Sequence, residues 1–332
     1  GDPTDDARYR VAVLDDYQVV AEDLTDWGRL GPRFELVFFH DHVPDPDRLV
    51  NRLAPFDVVV AMRERTPFPR DVLARLPRLQ LLVTKGMANA SIDVAAADSL
   101  GITVAGTDDG WLGATATIEL TWGLILAVAR RIPAEDAGVR HGAWQRTIGT
   151  VLAGKRLGIV GLGNLGPLML PMARALGMDV VAWSRHLTAE RAAEVGVERV
   201  SREELFGTSD VVTVHLKLGD RSRGYVGRDE LALMKPTALL VNTSRGPVVD
   251  EDALVACLAE RRIAGAGLDV FDTEPLPADH PLRYLPNTVL TPHIGFVTVE
   301  SYRAHFDHVV DDLLAFAERR PRRVLGQHFP GR

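Results

Sequence analysis

The sequence predicts an α/β protein made of two doubly wound parallel sheets. Three observations point there. Short runs of near-continuous Val, Ile, Leu and Ala recur along the chain, as in strands buried on both faces. Amphipathic segments of helical length separate them. The alternation stops once, at a long apolar helix, and then begins again. A length of 332 residues also suits about two domains of roughly 150 residues each.

In the first set, residues 11–14, 35–39, 58–61, 81–83 and 102–105 read as strands. Residues 47–53, 71–76 and 94–100 read as helices crossing between them, giving a unit over about residues 9–107. A helix over about residues 114–131 follows. The second set of strands is 157–160, 180–183, 211–215, 238–242, 266–270 and 289–290. Among its helices are 201–206, opened by a Ser201-x-x-Glu204 capping box, and 251–262. A last helix, about 299–318, is poorly explained by the second sheet and is expected to return to the first unit. The Pro- and Arg-rich tail, 321–332, is expected to be peripheral.

Composition narrows the class of partner. The formal charge is −7, so nucleic acid and anionic membranes are not expected partners. The only cysteine, Cys257, excludes an internal disulfide, and its helix position reads as buried packing. No zinc-type spacing is present, and no metal site is expected. Asp15 and Asp16 follow a strand, but two adjacent carboxylates without His ligands nearby do not read as a metal site. The N-terminal GDPTDDARYR is acidic and lacks the apolar core of a secretory signal. The apolar run at 120–129 is about half of the roughly 20 residues that cross a bilayer. The expectation is a cytoplasmic protein with no membrane contact.

The strand at 157–160 runs into Gly161-Leu162-Gly163-Asn164-Leu165-Gly166, a G-x-G-x-x-G turn that opens a helix. Gly161 allows the tight turn, Gly163 lets backbone N–H groups approach a pyrophosphate, and Gly166 lets the helix pack closely on the strand. Asn164 and Leu165 complete this cofactor-binding loop. The next strand ends in Trp183-Ser184-Arg185. An acidic residue there would accept the ribose 2′-OH of NAD. A hydroxyl and a guanidinium instead suit a 2′-phosphate, so NADPH is favoured over NADH.

Three further segments follow strand ends of the second unit: Asn242-Thr243-Ser244-Arg245-Gly246, Asp269-Val270-Phe271-Asp272-Thr273-Glu274 and Thr291-Pro292-His293-Ile294-Gly295. Ligands in doubly wound sheets bind outside the carboxyl ends of the strands. An Arg suited to bidentate carboxylate binding and a His–Glu pair suited to proton transfer would converge there.

With these motifs the chain resembles the D-isomer-specific 2-hydroxyacid dehydrogenases over nearly its whole length. The resemblance implies a Rossmann cofactor domain, residues 109–298, inserted in a discontinuous flavodoxin-like substrate domain, residues 1–108 and 299–332. It implies a homodimer whose arm includes the helix near 114–131. It implies that Arg245 binds the substrate carboxylate, that His293 is the general acid and base, and that Glu274 hydrogen-bonds His293 and favours its protonated form. Asp269 would contact the nicotinamide end of an NAD(P) cofactor. Backbone N–H groups of Met87 and Ala88 would hold the substrate carboxylate.

The chain also departs from the family pattern. Ala88 stands where the family has a second glycine, which would be strained if the backbone there needed a positive φ. Lys217 replaces the proline of a His-x-Pro turn after His215, and Phe296 stands where a small residue is common. Arg63-Glu64-Arg65 could reach a distal group of the substrate. The implied activity is hydride transfer between a nicotinamide and a small 2-oxo or 2-hydroxy acid, of the glyoxylate or hydroxypyruvate reductase type. The alternatives are a D-3-phosphoglycerate dehydrogenase and an NAD(H)-sensing corepressor without turnover.

Overall fold

The structure, a computed structural model, describes residues 7–328. Residues 1–6 of the N-terminal stretch read above and the last four tail residues lie outside them. The chain divides into two compact units, one running to Leu112 and resuming at Val297, the other spanning Gly113–Phe296.

Among the described residues, the first unit holds five parallel strands, β1 (Tyr9–Val13), β2 (Phe34–Phe38), β3 (Val58–Val60), β4 (Leu81–Val83) and β5 (Thr103–Ala105), in the order β2-β1-β3-β4-β5. Val58–Val60 and Leu81–Val83 are buried throughout, as the unbroken apolar runs require. The helix Val299–Ala317 belongs to this unit and buries Phe306, Val309, Val310 and Leu313. The tail is not peripheral. Val324 bridges Ala105 antiparallel, Leu325 N–H donates to the Val104 carbonyl at 2.8 Å, and Gly106 N–H to the Arg323 carbonyl at 2.9 Å. β5 is an edge strand with unpaired backbone groups, and the tail satisfies them. Folding also supplies the histidines that Asp15 and Asp16 lack in sequence. His42 Nδ1 lies 2.9 Å from Asp15 and His40 Nδ1 3.2 Å from Asp16.

The second unit is a seven-stranded parallel sheet of β6 (Arg156–Val160), β7 (Asp179–Trp183), β8 (Glu198–Arg199), β9 (Val211–Val214), β10 (Leu239–Asn242), β11 (Gly265–Leu268) and β12 (Thr288–Leu290). Its order is β12-β11-β10-β9-β6-β7-β8. The sequence reading missed β8, whose two exposed polar residues carry no apolar signal. The helix expected at 251–262 is Glu251–Ala259 and stops short, with Arg261 left-handed at φ +54°.

The long apolar helix is Leu112–Arg130, and its 19 residues are long and apolar enough to cross a bilayer by length and composition. The ten-residue run understated it, because Gly and Thr residues extend the apolar stretch. Half of that stretch is buried, and Ile118, Trp122, Leu124 and Ile125 share one buried apolar cluster with Leu157, Ile159 and Met169. Arg131, at φ +55°, ends it, and a separate helix follows at Ile132–Arg140.

Candidate active site

β6 lies mid-sheet between β9 and β7, and the glycine loop leaves its carboxyl end. Gly161 has φ +94°, and a Cβ there would sit 2.6 Å from both the His215 carbonyl and Leu216 Cδ2. A Cβ on Gly166 would sit 2.6 Å from the Gly161 carbonyl. Only glycine fits either place. Around Gly163 the space is open, and Gly163 and Asn164 are exposed. Leu165 is half-buried and precedes a 3₁₀ turn, Gly166–Met169, that leads into the helix Leu170–Ala175. Tight first and third glycines around an open second one fit a dinucleotide pyrophosphate. Ser184 and Arg185 follow β7 directly, Ser184 half-buried and Arg185 exposed.

β10, β11 and β12 are adjacent and parallel, so the segments that follow them leave from one edge of the sheet. Buried Asn242 organises the first. Its Nδ2 donates to the Arg245 carbonyl at 3.0 Å, and its Oδ1 accepts Ser244 N–H at 3.0 Å and Ser244 Oγ at 2.7 Å. Arg245 Nη1 donates to the Ser244 carbonyl at 2.7 Å. Gly246 rests directly on the β11 loop, because a Cβ there would fall 2.1 Å from the Phe271 carbonyl carbon. This contact sets the Arg245 turn against the loop carrying Glu274.

Glu274 bridges the other two segments. Its Oε1 accepts Phe271 N–H at 3.0 Å, and its Oε2 lies 2.5 Å from His293 Nδ1. His293 is left-handed at φ +53°. That conformation is held from behind by Asp269, 1% exposed, which accepts Thr291 Oγ1 at 2.8 Å, Ile294 N–H at 2.8 Å and Gly295 N–H at 3.0 Å. Burial pushes the Asp269 carboxyl above the usual range, against the pull of these donors and of His293. Phe296 meets the His293 ring edge-on at 5.8 Å. Glu274 consumes Nδ1, which leaves Nε2 as the ring atom able to exchange a proton with a ligand.

In the first unit, the loop after β4 turns at Gly86, φ +87°. Ala88 is not left-handed, so its replacement of glycine costs the backbone nothing. Met87 and Ala88 are exposed. Asn89, which the sequence reading passed over, shapes this loop: its Nδ2 donates to the Arg63 carbonyl at 2.6 Å and to Thr84 Oγ1 at 2.9 Å. Buried Lys85 donates to Asp109 at 2.6 Å, and burial lowers its pKa. Arg65 donates to the Asp15 carbonyl at 2.7 Å and Tyr302 Oη at 3.1 Å. Among the described residues, no three His, Cys, Asp or Glu side chains group to hold a metal.

A family model for the NAD-binding domain of D-isomer specific 2-hydroxyacid dehydrogenases matches residues 122–295. Glyoxylate reductase of Aeropyrum pernix is 42% identical over 257 residues, 75% of this chain and 76% of that protein. The chain belongs to the D-isomer specific 2-hydroxyacid dehydrogenase family.

This dehydrogenase is also 38% identical to D-3-phosphoglycerate dehydrogenase of Methanocaldococcus jannaschii over 78% of its length, but spans only 49% of that protein. A crystal structure of phosphoglycerate oxidoreductase from Vibrio cholerae matches with a TM-score of 0.88 at 35% identity, covering 93% of this chain and 99% of that one. As a family member it is an oxidoreductase of CH–OH donors that uses a nicotinamide cofactor and a small 2-hydroxy or 2-oxo acid.

Proposed function

We propose that the dehydrogenase works as a 2-oxo acid reductase of the glyoxylate or hydroxypyruvate type, with His293 as its general acid. The observation that carries this reading is the 2.5 Å contact between His293 Nδ1 and Glu274 Oε2 at the carboxyl edge of the parallel sheet. The nicotinamide, when bound, supplies the hydride to C2 of the oxo acid. His293 Nε2 gives its proton to the carbonyl oxygen as that oxygen becomes a hydroxyl, a step worth roughly 10²–10⁴-fold. Glu274, anchored on Phe271 N–H, holds the ring and balances its charge. Arg245, its backbone shaped by Asn242, binds the carboxylate and stabilises the developing oxyanion. Asp269 keeps the His293 backbone in its left-handed turn.

In the first unit, the role assigned to the exposed Met87 and Ala88 backbone is to bind the substrate carboxylate, which makes residues up to about 108 and from about 299 the substrate domain. Residues 109–298 are then the cofactor domain, with Gly161, Gly163, Asn164, Leu165 and Gly166 around the pyrophosphate. Ser184 and Arg185 favour NADPH, and the residues directly after β7, Ser184-Arg185-His186, include no acidic side chain to repel its 2′-phosphate. A homodimer arm accounts for exposed apolar residues clustered in sequence, among them Val139 at 54%, Trp144 at 76% and Ile148 at 95%. A phosphorylated 2-hydroxy acid is the second reading, favoured by Arg63, whose Nη1 comes within 3.4 Å of a Cβ built on Gly86.

The test is turnover of glyoxylate, hydroxypyruvate, pyruvate and 3-phosphohydroxypyruvate at 340 nm, by wild type and His293→Ala. The reading expects kcat on an unphosphorylated acid to fall by roughly 10²–10⁴-fold in the variant. Unchanged turnover removes the role of His293. A strong preference for the phosphorylated acid selects the second reading, and absence of turnover on all four defeats both.

A further inference from the structure

Arg185 is exposed, yet its side chain is placed. Its Cζ lies 4.6 Å from the centroid of the Tyr225 ring, its backbone N–H donates to Tyr225 Oη at 2.6 Å, and its Nη1 donates to the Arg221 carbonyl at 3.3 Å. Those contacts engage one of five guanidinium N–H donors. The cation is held over the ring while most of its donors stay outside these contacts.

Tyr225 is itself fixed. It is 6% exposed and packs against Trp183, the last residue of β7, with ring centroids 5.4 Å apart. Its loop is pinned on both sides, Gly224 N–H to the Pro247 carbonyl at 2.8 Å and Val226 N–H to the Val248 carbonyl at 3.0 Å. Ser222 Oγ closes the loop onto the Lys217 carbonyl at 2.5 Å and takes Gly219 N–H at 2.9 Å. Lys217, Arg221 and Arg223 are exposed on this same loop.

We propose that Tyr225 is a specificity-positioning residue for the cofactor: it holds the Arg185 guanidinium, and through it the cationic 217–223 loop, ready for the 2′-phosphate of NADPH. The inference rests on the NADPH reading above. A long arginine side chain loses much rotamer freedom when it grips an anion, and a prearranged guanidinium loses less. The tyrosine contributes both a ring face under the cation and a hydroxyl that fixes the backbone carrying it. A phenylalanine keeps the first alone, and a leucine keeps neither.

The experiment measures Kd for NADPH and for NADH by calorimetry on wild type, Tyr225→Phe, Tyr225→Leu, Arg185→Ala and Arg185→Ala/Tyr225→Leu. The readout is the ratio of the two affinities, which general loosening of the fold does not move. A cation–π contact at an exposed site corresponds to roughly a twofold to fivefold effect. Tyr225→Leu is therefore expected to cut the NADPH preference by about that factor, with Tyr225→Phe between it and wild type. In the Arg185→Ala background the same change is expected to have no effect on the ratio. An unchanged ratio in Tyr225→Leu, or an equal fall with and without Arg185, overturns the proposal and leaves the NADPH reading standing. Wild type that binds NADH as tightly as NADPH defeats that reading first, and the proposal with it.

Discussion

Replacing Asp269 by Asn tests whether the loop behind His293 sets the rate. Aspartate accepts three hydrogen bonds there, two on Oδ1 from Thr291 and Ile294 and one on Oδ2 from Gly295. Asparagine can keep its oxygen at the Oδ1 place, but its amide nitrogen then faces the Gly295 N–H, donor against donor. One hydrogen bond to a charged group is lost, at about 1.5–3 kcal/mol, and a buried N–H is left unpaired, at about 1–3 kcal/mol. Against this, the carboxylate's own burial is unfavourable, as its raised pKa records, and the neutral amide escapes that cost. Global stability therefore changes less than the local sum, while the left-handed turn at His293 loses its support. A displacement of about 1 Å at a catalytic group costs on the order of 10²-fold. The expectation is a roughly 100-fold fall in kcat with a much smaller change in Tm. The assay is steady-state reduction of the best 2-oxo acid at 340 nm, alongside Kd for the reduced cofactor. A kcat within a factor of about two of wild type, or a loss confined to cofactor Kd, refutes the staple argument.

Gly161→Ala adds a Cβ 2.6 Å from the His215 carbonyl at a residue with φ +94°, so cofactor Kd is expected to rise by at least about tenfold, and titration with NADPH checks it. Burial holds the Asp312 carboxyl up at about 7 despite Arg323 Nη2 at 2.7 Å, so this group adds stability that is full below about pH 4 and lost as pH rises through 7. Denaturant unfolding at pH 4.5 and 7.5 is expected to show the gap between wild type and Asp312→Asn shifting against wild type by about 3 kcal/mol at the higher pH, and an equal gap at both excludes that linkage.

Much of the architecture is legible in the chain because parallel strands buried on both faces need unbroken apolar runs, and those are visible without coordinates. The runs 58–61 and 81–83 contain β3 and β4 to within a residue, since burial constrains every position in them. β8 has no such constraint and left no trace. The tail was misjudged for the opposite reason. Its Arg and Pro residues look solvated, but its backbone pairs with the edge of β5, and backbone hydrogen bonding leaves little mark on composition.

At the candidate site, the chain alone announces its parts. A glycine triplet after a strand, an arginine after Asn-Thr-Ser, and a histidine before Ile-Gly are local signals, because each meets a local demand of turn geometry or chemistry. Those local signals leave open which groups meet and at what angle; the Glu274–His293 pairing was legible only through the family resemblance, and the contacts of Asp269 and Tyr225 not at all. Glu274 and His293 are 19 residues apart, and Asp269 reaches 25 and 26 residues along to seize the loop beyond the histidine. Tyr225 under Arg185, 40 residues away, has no local signature at all. Those pairings follow from the strand order β12-β11-β10-β9-β6-β7, which places distant segments side by side. Strand order is chosen by how helices and sheet bury their apolar faces together, a property of the packed whole that no short window contains.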